Sequence, residues 1–517
     1  MPTRDLNNSR RLDVHRWSDH PEVNKFVYEL FDAEIAPELP SLSGRGRKPR
    51  CDIKYQFKVL ILDLYLLWCE DPDACLGVSR TDSHYKAGSI YNALHISALI
   101  IQCVDALINL GYIEQKLGTE SAKQVTRIWP TSKLITLFQS ALFSVHDIGL
   151  SDKIELIVLN MKVRSGQDDS SDDETSYRFV TKPQEYKDKD FKPIVEMRES
   201  LRAYNKLLQH SYIDIADLSK PVISRSYWDQ RTKETREYRV HVGQHNKLVR
   251  RVFYRGDWSL GGRFHGGWWQ QIKSEYRRRI LIDDQYTVEI DYSGLHISLA
   301  YALEGVQPPK DPYLLPDLLL DGVNAVDQRK IVKSLVLMAI NAKTRKDAYQ
   351  AFRAAQDKGS YAKKLTNIEL ETLLDAFVDT HPAVAHYIAA DKGVELMALD
   401  GRITASVIDY FTERNVVVLT VHDSYIVPED REHELLRVMN RAVHKELGEY
   451  QIDMQPEGLT MGAIRGNSLL TESPLGVDII KQLTESKPSR CSEYCARRDK
   501  FKAAKGFYID EKTSEPI

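Results

Sequence analysis

The chain has 517 residues, a formal net charge of −3, 42% hydrophobic and 28% charged residues, and six cysteines. That length exceeds one ordinary hydrophobic core and implies two to four domains, and the composition is that of a soluble globular protein. Apolar runs are too short for a bilayer, Met1-Pro-Thr-Arg-Asp5 has no signal-peptide character, and the cysteines lack framework spacing, so a reducing, cytoplasmic location is expected; the near-balanced charge leaves nucleic acid open as a partner.

Residues 1–50 are polar and end in the basic run Gly44-Arg-Gly-Arg-Lys-Pro-Arg50, which reads as a flexible arm. From 51 to 145 the pattern is regular. Tyr55–Cys69 is strongly apolar and helical, and a second helical stretch is expected around Ser89–Leu94. Ala98–Leu110 follows as a helix with Ser97 as N-cap and Gly111 just past its end. Tyr112–Gln115 and Gln124–Trp129 read as strands around a polar loop, Lys116–Lys123. Helix, helix, strand, loop, strand resembles a winged helix-turn-helix domain, and that resemblance implies a DNA-binding helix and wing.

Ser165–Ser176 is acidic and apolar-free, and reads as a disordered linker at a domain boundary. Residues 177–285 are expected to be a helical, basic region, with Ile194–His210 as one helix. Between Val240 and Arg279, Lys247, Arg250, Arg251, Arg255, Arg263 and Arg277–Arg279 interleave with Phe253, Tyr254, Trp258, Trp268 and Trp269. Cations for phosphates mixed with flat rings suit a nucleic-acid track. Within it, Gly261-Gly262-Arg263 reads as a loop whose glycines let backbone approach a ligand.

Residues 286–475 alternate helices with strands, so the chain is expected to be a helix-rich α/β (α+β) protein; 476–517 form a basic tail. Val288–Ile290 is a short strand delivering Asp291, and Tyr292-Ser293-Gly294 turns into an apolar helix that carries His296. Downstream, Asn415–Ser424 reads as a strand with Asp423 at its tip. Two strand-end carboxylates, with the Tyr292 backbone carbonyl beside them, can share a pair of divalent cations. Between them lies the helical stretch Gln328–Ala342, where Arg329, Lys333, Leu337 and Asn341 recur every four residues along one face. Two cations one turn apart can grip a triphosphate; Leu337 and Asn341 would face a base or sugar.

In this order the motifs resemble the single-subunit right-hand polymerases, the bacteriophage-type RNA polymerases and A-family DNA polymerases. Asp291-Tyr-Ser293 looks like their first palm motif, Arg329-x-x-x-Lys333 like the fingers helix, His422-Asp423-Ser424 like the third motif, and Asp257-Trp-x-x-Gly-Gly-Arg263 like an element that lies against template and nascent strand. Asp311-Pro-Tyr313 sits where the family has a short motif after the first. The resemblance covers roughly Arg255–Leu447. It implies an antiparallel palm sheet with helical fingers after the winged helix. It implies two Mg²⁺ ions, with Mn²⁺ as substitute, on Asp291, Asp423 and the Tyr292 carbonyl. Lys333 would protonate the leaving pyrophosphate, and His422 would stand near the primer end. Arg255, Gly261, Gly262, Arg263, Arg250 and Arg251 would follow the nucleic acid. The partners are a DNA template, an NTP or dNTP and a nascent strand. Ser424 and Arg263 favour ribonucleotide or primer synthesis. His296 where the DNA enzymes carry a sugar-excluding Glu, and Asn341-Ala342 where both families carry Tyr-Gly, leave an A-family-like replicative DNA polymerase as the alternative. A polymerase-shaped initiator without catalysis is the other.

Overall fold

The computed structural model describes residues 4–40, 49–118, 125–167, 177–229, 234–456 and 487–506. Most of the basic run 44–50, the centre of the polar loop before Gln124, the acidic stretch from 168 to 176 and the chain end after 506 lie outside the described residues. Helix and sheet are mixed throughout.

The first unit has its own core, running from Val23 to Ile148. It contains β1 (Ser9–Arg11), α1 (Pro21–Leu30), α2 (Ile53–Glu70), β2 (Cys75–Val78), α3 (Leu99–Asn109), β3 (Ile113–Lys116) and β4 (Thr126–Pro130). Asp52 caps α2 by accepting from the Lys54 amide, and α2 is apolar nearly all round because it lies at the centre of the unit. The strands form one sheet in the order β1-β2-β4-β3. α3 ends as its sequence implies: Gly111 sits at φ 72° and the Tyr112 amide returns to the Leu107 carbonyl. Two expectations fail here. The first forty residues are no arm, since β1 pairs with β2 and Val23, Val27 and Ile35 are fully buried. Ser89–Leu94 is a series of turns, held by Asn92, whose side chain accepts from the Ile96 amide and donates to its carbonyl.

The second unit is built on two sheets. One runs β11-β10-β5-β6, from β5 (Ile157–Gln167), β6 (Tyr177–Pro183), β10 (Val249–Tyr254) and β11 (Asp257–Gly266). β5 and β6 pair in antiparallel register out to Gln167 and Tyr177. The acidic stretch between them therefore connects neighbouring strands of one sheet instead of separating domains, and its first residues, Ser165–Gln167, are strand. Region 177–285 is also not helical: besides α4 (Ile194–His210) it is mostly sheet, with β8 (Val222–Asp229) and β9 (Glu234–His241) as a further hairpin.

The other sheet is six-stranded and wholly antiparallel. Its order is β14-β15-β13-β12-β7, from β7 (Ile213–Ile215), β12 (Ile280–Ile282), β13 (Gln285–Tyr292), β14 (Leu419–Val421) and β15 (Ser424–Pro428), with β16 (Met454–Pro456) beside the end of β13. Helices α5 (Leu295–Leu303), α6 (Ala325–Asn341), α7 (Arg345–Ala355), α8 (Asn367–Thr380), α9 (Gly393–Thr412) and α10 (Glu432–Leu447) share its core. The stretch after Asn415 is not one strand. Asn415 takes φ 53°, Val416–Val418 pack without ladder pairing, and His422-Asp423 is the turn of the β14–β15 hairpin. The tail also gains structure. α11 (Ser492–Gly506) docks through Tyr494 and Phe501 on Tyr212, Ala216 and Leu281.

Candidate active site

Asp291 and Asp423 meet at one end of the central sheet. In the β13–β15 register Asp291 stands opposite Ser424, the neighbour of Asp423, and the Tyr292 amide donates to the Asp423 carbonyl at 3.3 Å. The frame around them is braced. The Ser424 hydroxyl donates to Glu289 Oε1 at 2.6 Å, and Arg277 holds the same carboxylate at 2.9 Å. The Tyr292 ring is buried and its hydroxyl donates to the Met439 carbonyl, anchoring the strand end to α10. His422 occupies φ 57°, an unfavourable conformation for a residue with a Cβ, which turns the chain sharply beside Asp423. Its exposed imidazole lies 6.1 Å, centroid to centroid, from that of His265.

α6 begins at Ala325, three residues before the expected stretch, because the Asn324 side chain caps it by accepting from the Asp327 amide. Its buried side is Ile331, Val332, Leu335, Val336, Ala339 and Ile340; Arg329, Lys333 and Leu337 lie partly exposed on another face. Tyr313 connects this face to the carboxylates. Its ring centroid is 5.9 Å from the Arg329 guanidinium carbon and 6.0 Å from Lys333 Nζ, and its hydroxyl lies against Gly294. That hydroxyl is buried without a hydrogen-bond partner among the described residues. Burial raises its pKa above the usual tyrosine range; Arg329 opposes this, and the Asp311 and Asp423 carboxylates add to it. Asp311 also takes the Arg329 guanidinium at 2.5 Å. Asn341, at the end of the same helix, is exposed. Its amide donates to the Leu337 carbonyl one turn back, and its side chain packs where Gly393 leaves no room for a Cβ.

Arg263 and His296, expected to serve template and sugar separately, are joined. Arg263 forms an ion pair with Asp400 on α9, and its Nη2 lies 2.7 Å from His296 Nε2. A guanidinium only donates, so Nε2 accepts and the imidazole is the neutral Nδ1–H tautomer. Burial and the adjacent Arg263 charge lower the His296 pKa to about 3, and burial with His422 and Arg263 lowers that of His265 to about 4. The same causes, burial and then Arg263, lower that of His422, while Asp423 opposes them. Asp400 is fully buried; desolvation raises its pKa to about 6 against the pull of Arg263, with the Asp423 charge adding to the rise. Asp400 was not anticipated, though an aspartate inside the apolar sequence of α9 is a legible signal of a buried, partnered carboxylate.

The expected nucleic-acid track is largely internal. Arg251 is 8% exposed and donates to the carbonyls of Gly262 and Gly401, at 2.9 and 3.2 Å. Gly261 and Gly262, at φ 84° and 82°, lie within β11 and not in a loop, and their missing Cβ atoms make room for the protein itself: a Cβ on either would enter the Tyr254 or Phe253 ring, and α9 crosses at Gly401 with no space for a Cβ against the Gly262 carbonyl. Lys247, Trp268 and Trp269 are buried, and Arg250 is half-buried. Arg255 is exposed and pairs with Asp391 at 2.6 Å.

Among the described residues no group of three or more His, Cys, Asp or Glu side chains forms a metal site. Two carboxylates at one sheet end, with the Tyr292 carbonyl as a third oxygen donor, nevertheless suit hard divalent cations, which keep water and substrate oxygens as their remaining ligands. Among the described residues no helix is long and apolar enough to cross a membrane. No family model matches the chain, and no curated protein matches it at a significant level.

Proposed function

We propose that the chain is a template-directed nucleotidyltransferase, a nucleic acid polymerase with ribonucleotide or primer synthesis favoured, and that its first unit is a winged helix that recruits it to DNA. The observation that carries the reading is the convergence of Asp291 and Asp423 at one sheet end with Arg329 and Lys333 beyond the Tyr313 ring. In this reading Asp291, Asp423 and the Tyr292 carbonyl hold two Mg²⁺ ions, with Mn²⁺ able to replace them. The ions supply activation of the attacking hydroxyl and charge neutralisation on the phosphates. Arg329 and Lys333 orient the incoming triphosphate, and Lys333 gives a proton to the departing pyrophosphate. Tyr313 keeps water from the floor between them. His422, exposed in the hairpin turn, stands where a primer end would lie. Support for the winged helix is the element order α2-β2-α3-β3-β4 with sheet order β2-β4-β3.

One observation favours a second reading, a DNA-binding initiator without catalysis: Arg263 and Arg329 are both engaged by carboxylates of the chain itself. Extension assays on primed and unprimed templates, with separate rNTP and dNTP pools, decide between them. Incorporation that disappears in Asp423→Ala supports the enzyme. Incorporation that persists in Asp423→Ala overturns the assignment of the site, and DNA binding without incorporation by the wild type selects the second reading.

A further inference from the structure

A cavity of about 630 Å³ lies between the first unit, the end of α4, the loop before β10 and α11, and none of its lining residues belongs to the strand-end site. Its volume is in the range of small-molecule pockets. Arg16 and His146 reach it from the first unit, Lys206 from α4, His245 and Lys247 from the loop, and Lys505 from α11, while no Asp or Glu is among the described residues lining it. Phe501 forms one wall. The His146 ring meets it edge-on at 5.5 Å, and the Lys247 and Lys505 ammonium groups lie 5.4 and 4.5 Å from its centroid.

Two of these cations are more than nine-tenths buried. Arg16 is answered from behind at Nε by Asp63, at 3.2 Å, and Asp13, at 3.5 Å, but its Nη1 is buried with no hydrogen-bond partner among the described residues. Lys247 is 1% exposed and donates to neutral oxygens alone, the Ser211 carbonyl at 2.7 Å, Gln244 Oε1 at 2.8 Å and, more weakly, the Gln209 carbonyl at 3.4 Å. Burial, then the Lys505 charge, pushes the Lys247 pKa well down, with only Asp283 opposing; burial, Arg16, His146, Lys247 and Arg10 push down that of His245. Gathering like charges away from water costs folding free energy unless something negative completes them. Elsewhere α11 does the opposite, since Arg497 and Arg498 sit on Asp214 and Asp284 at 2.8 and 2.9 Å. On the cavity side, by contrast, no carboxylate among the described lining residues faces these cations.

We infer that this cavity binds a small polyanion through its phosphate groups, of the kind a nucleotide carries, seated on Arg16 and Lys247 and closed by Lys206 and Lys505. The inference stands apart from the proposed polymerisation. Titration calorimetry of the full chain with inorganic tripolyphosphate, in chelator to remove divalent cations, tests it. Wild type and Lys333→Ala are expected to bind one equivalent alike. Lys206→Glu/Lys505→Glu, which changes two exposed side chains at the cavity mouth, is expected to weaken binding about tenfold or more. Lys189→Glu/Lys192→Glu, the same charge change at exposed positions elsewhere, is expected to leave it unchanged. Absence of binding to wild type, loss in Lys333→Ala, or equal affinity in the two double variants overturns the inference.

Discussion

Acid should destabilise this protein through His296 in particular. The imidazole is 8% exposed, accepts a hydrogen bond from Arg263, and has its pKa lowered by burial to about 3. A histidine in the unfolded chain titrates near 6.5. Between those values the unfolded state binds a proton that the folded state refuses, so stability is complete above pH 6.5 and is lost as pH falls toward 3. Each pH unit in that window costs about 1.4 kcal/mol, so lowering the pH from 6.5 to 5 removes about 2 kcal/mol through this residue alone. His296→Gln keeps an acceptor for Arg263 and abolishes the titration. Urea unfolding at pH 7 and pH 5 reads the difference: the wild type should lose about 2 kcal/mol more than the variant. Other acid-sensitive groups, His265 included, are common to both proteins and cancel. Equal losses would refute the buried neutral imidazole.

Two further outcomes follow from the same site. Gly401→Ala places a methyl against the Gly262 carbonyl, a backbone atom that cannot rotate away, and should lower unfolding free energy by about 3 kcal/mol; a change below about 0.5 kcal/mol in urea melts would show that α9 and β11 are not locked together there. Lys333→Ala should reduce the rate of nucleotide incorporation by about a hundredfold while leaving template affinity unchanged, since proton delivery is typically worth that much and the side chain is assigned to the triphosphate alone. A parallel loss of template affinity, measured by fluorescence anisotropy, would remove Lys333 from that role.

Local chemistry carried most of what could be foreseen. Gly111 ends α3, although the helix starts at Leu99 with Ala98 and not Ser97 at its N-cap; Ile194–His210 is a helix end to end, and Asp291 stands at the end of β13, because each of these depends on neighbours in sequence. Long-range pairing was beyond reach. The acidic stretch before Tyr177 has linker composition, yet the strands on either side pair with each other, a fact fixed by register and not by the stretch itself. Charge density misled in the same way. Between Val240 and Arg279 a linear count of arginines and tryptophans cannot distinguish a surface track from a buried lattice in which Arg251 staples two carbonyls and Arg277 holds Glu289. The carboxylate that pairs with Arg263, Asp400, is 137 residues away from the arginine it neutralises.

The two carboxylate-held arginines differ in what they can do. Arg329 and Asp311 are 38% and 31% exposed at their side chains, and a pair so accessible to water contributes at most about 1 kcal/mol. A triphosphate with several negative charges outbids a single partly solvated carboxylate easily, so this pairing holds the guanidinium near its working position without blocking it. Arg263 is in another regime. Its side chain is 15% exposed, Asp400 is wholly buried, and the same guanidinium donates the hydrogen bond that His296 accepts. Releasing Arg263 to a phosphate would leave Asp400 charged in the interior, a loss of about 3–5 kcal/mol for a broken buried pair. Of the two roles the resemblance assigns, the triphosphate contact of Arg329 is therefore compatible with the fold, whereas Arg263 belongs to the bracing that fixes β11, α5 and α9 around the strand-end carboxylates.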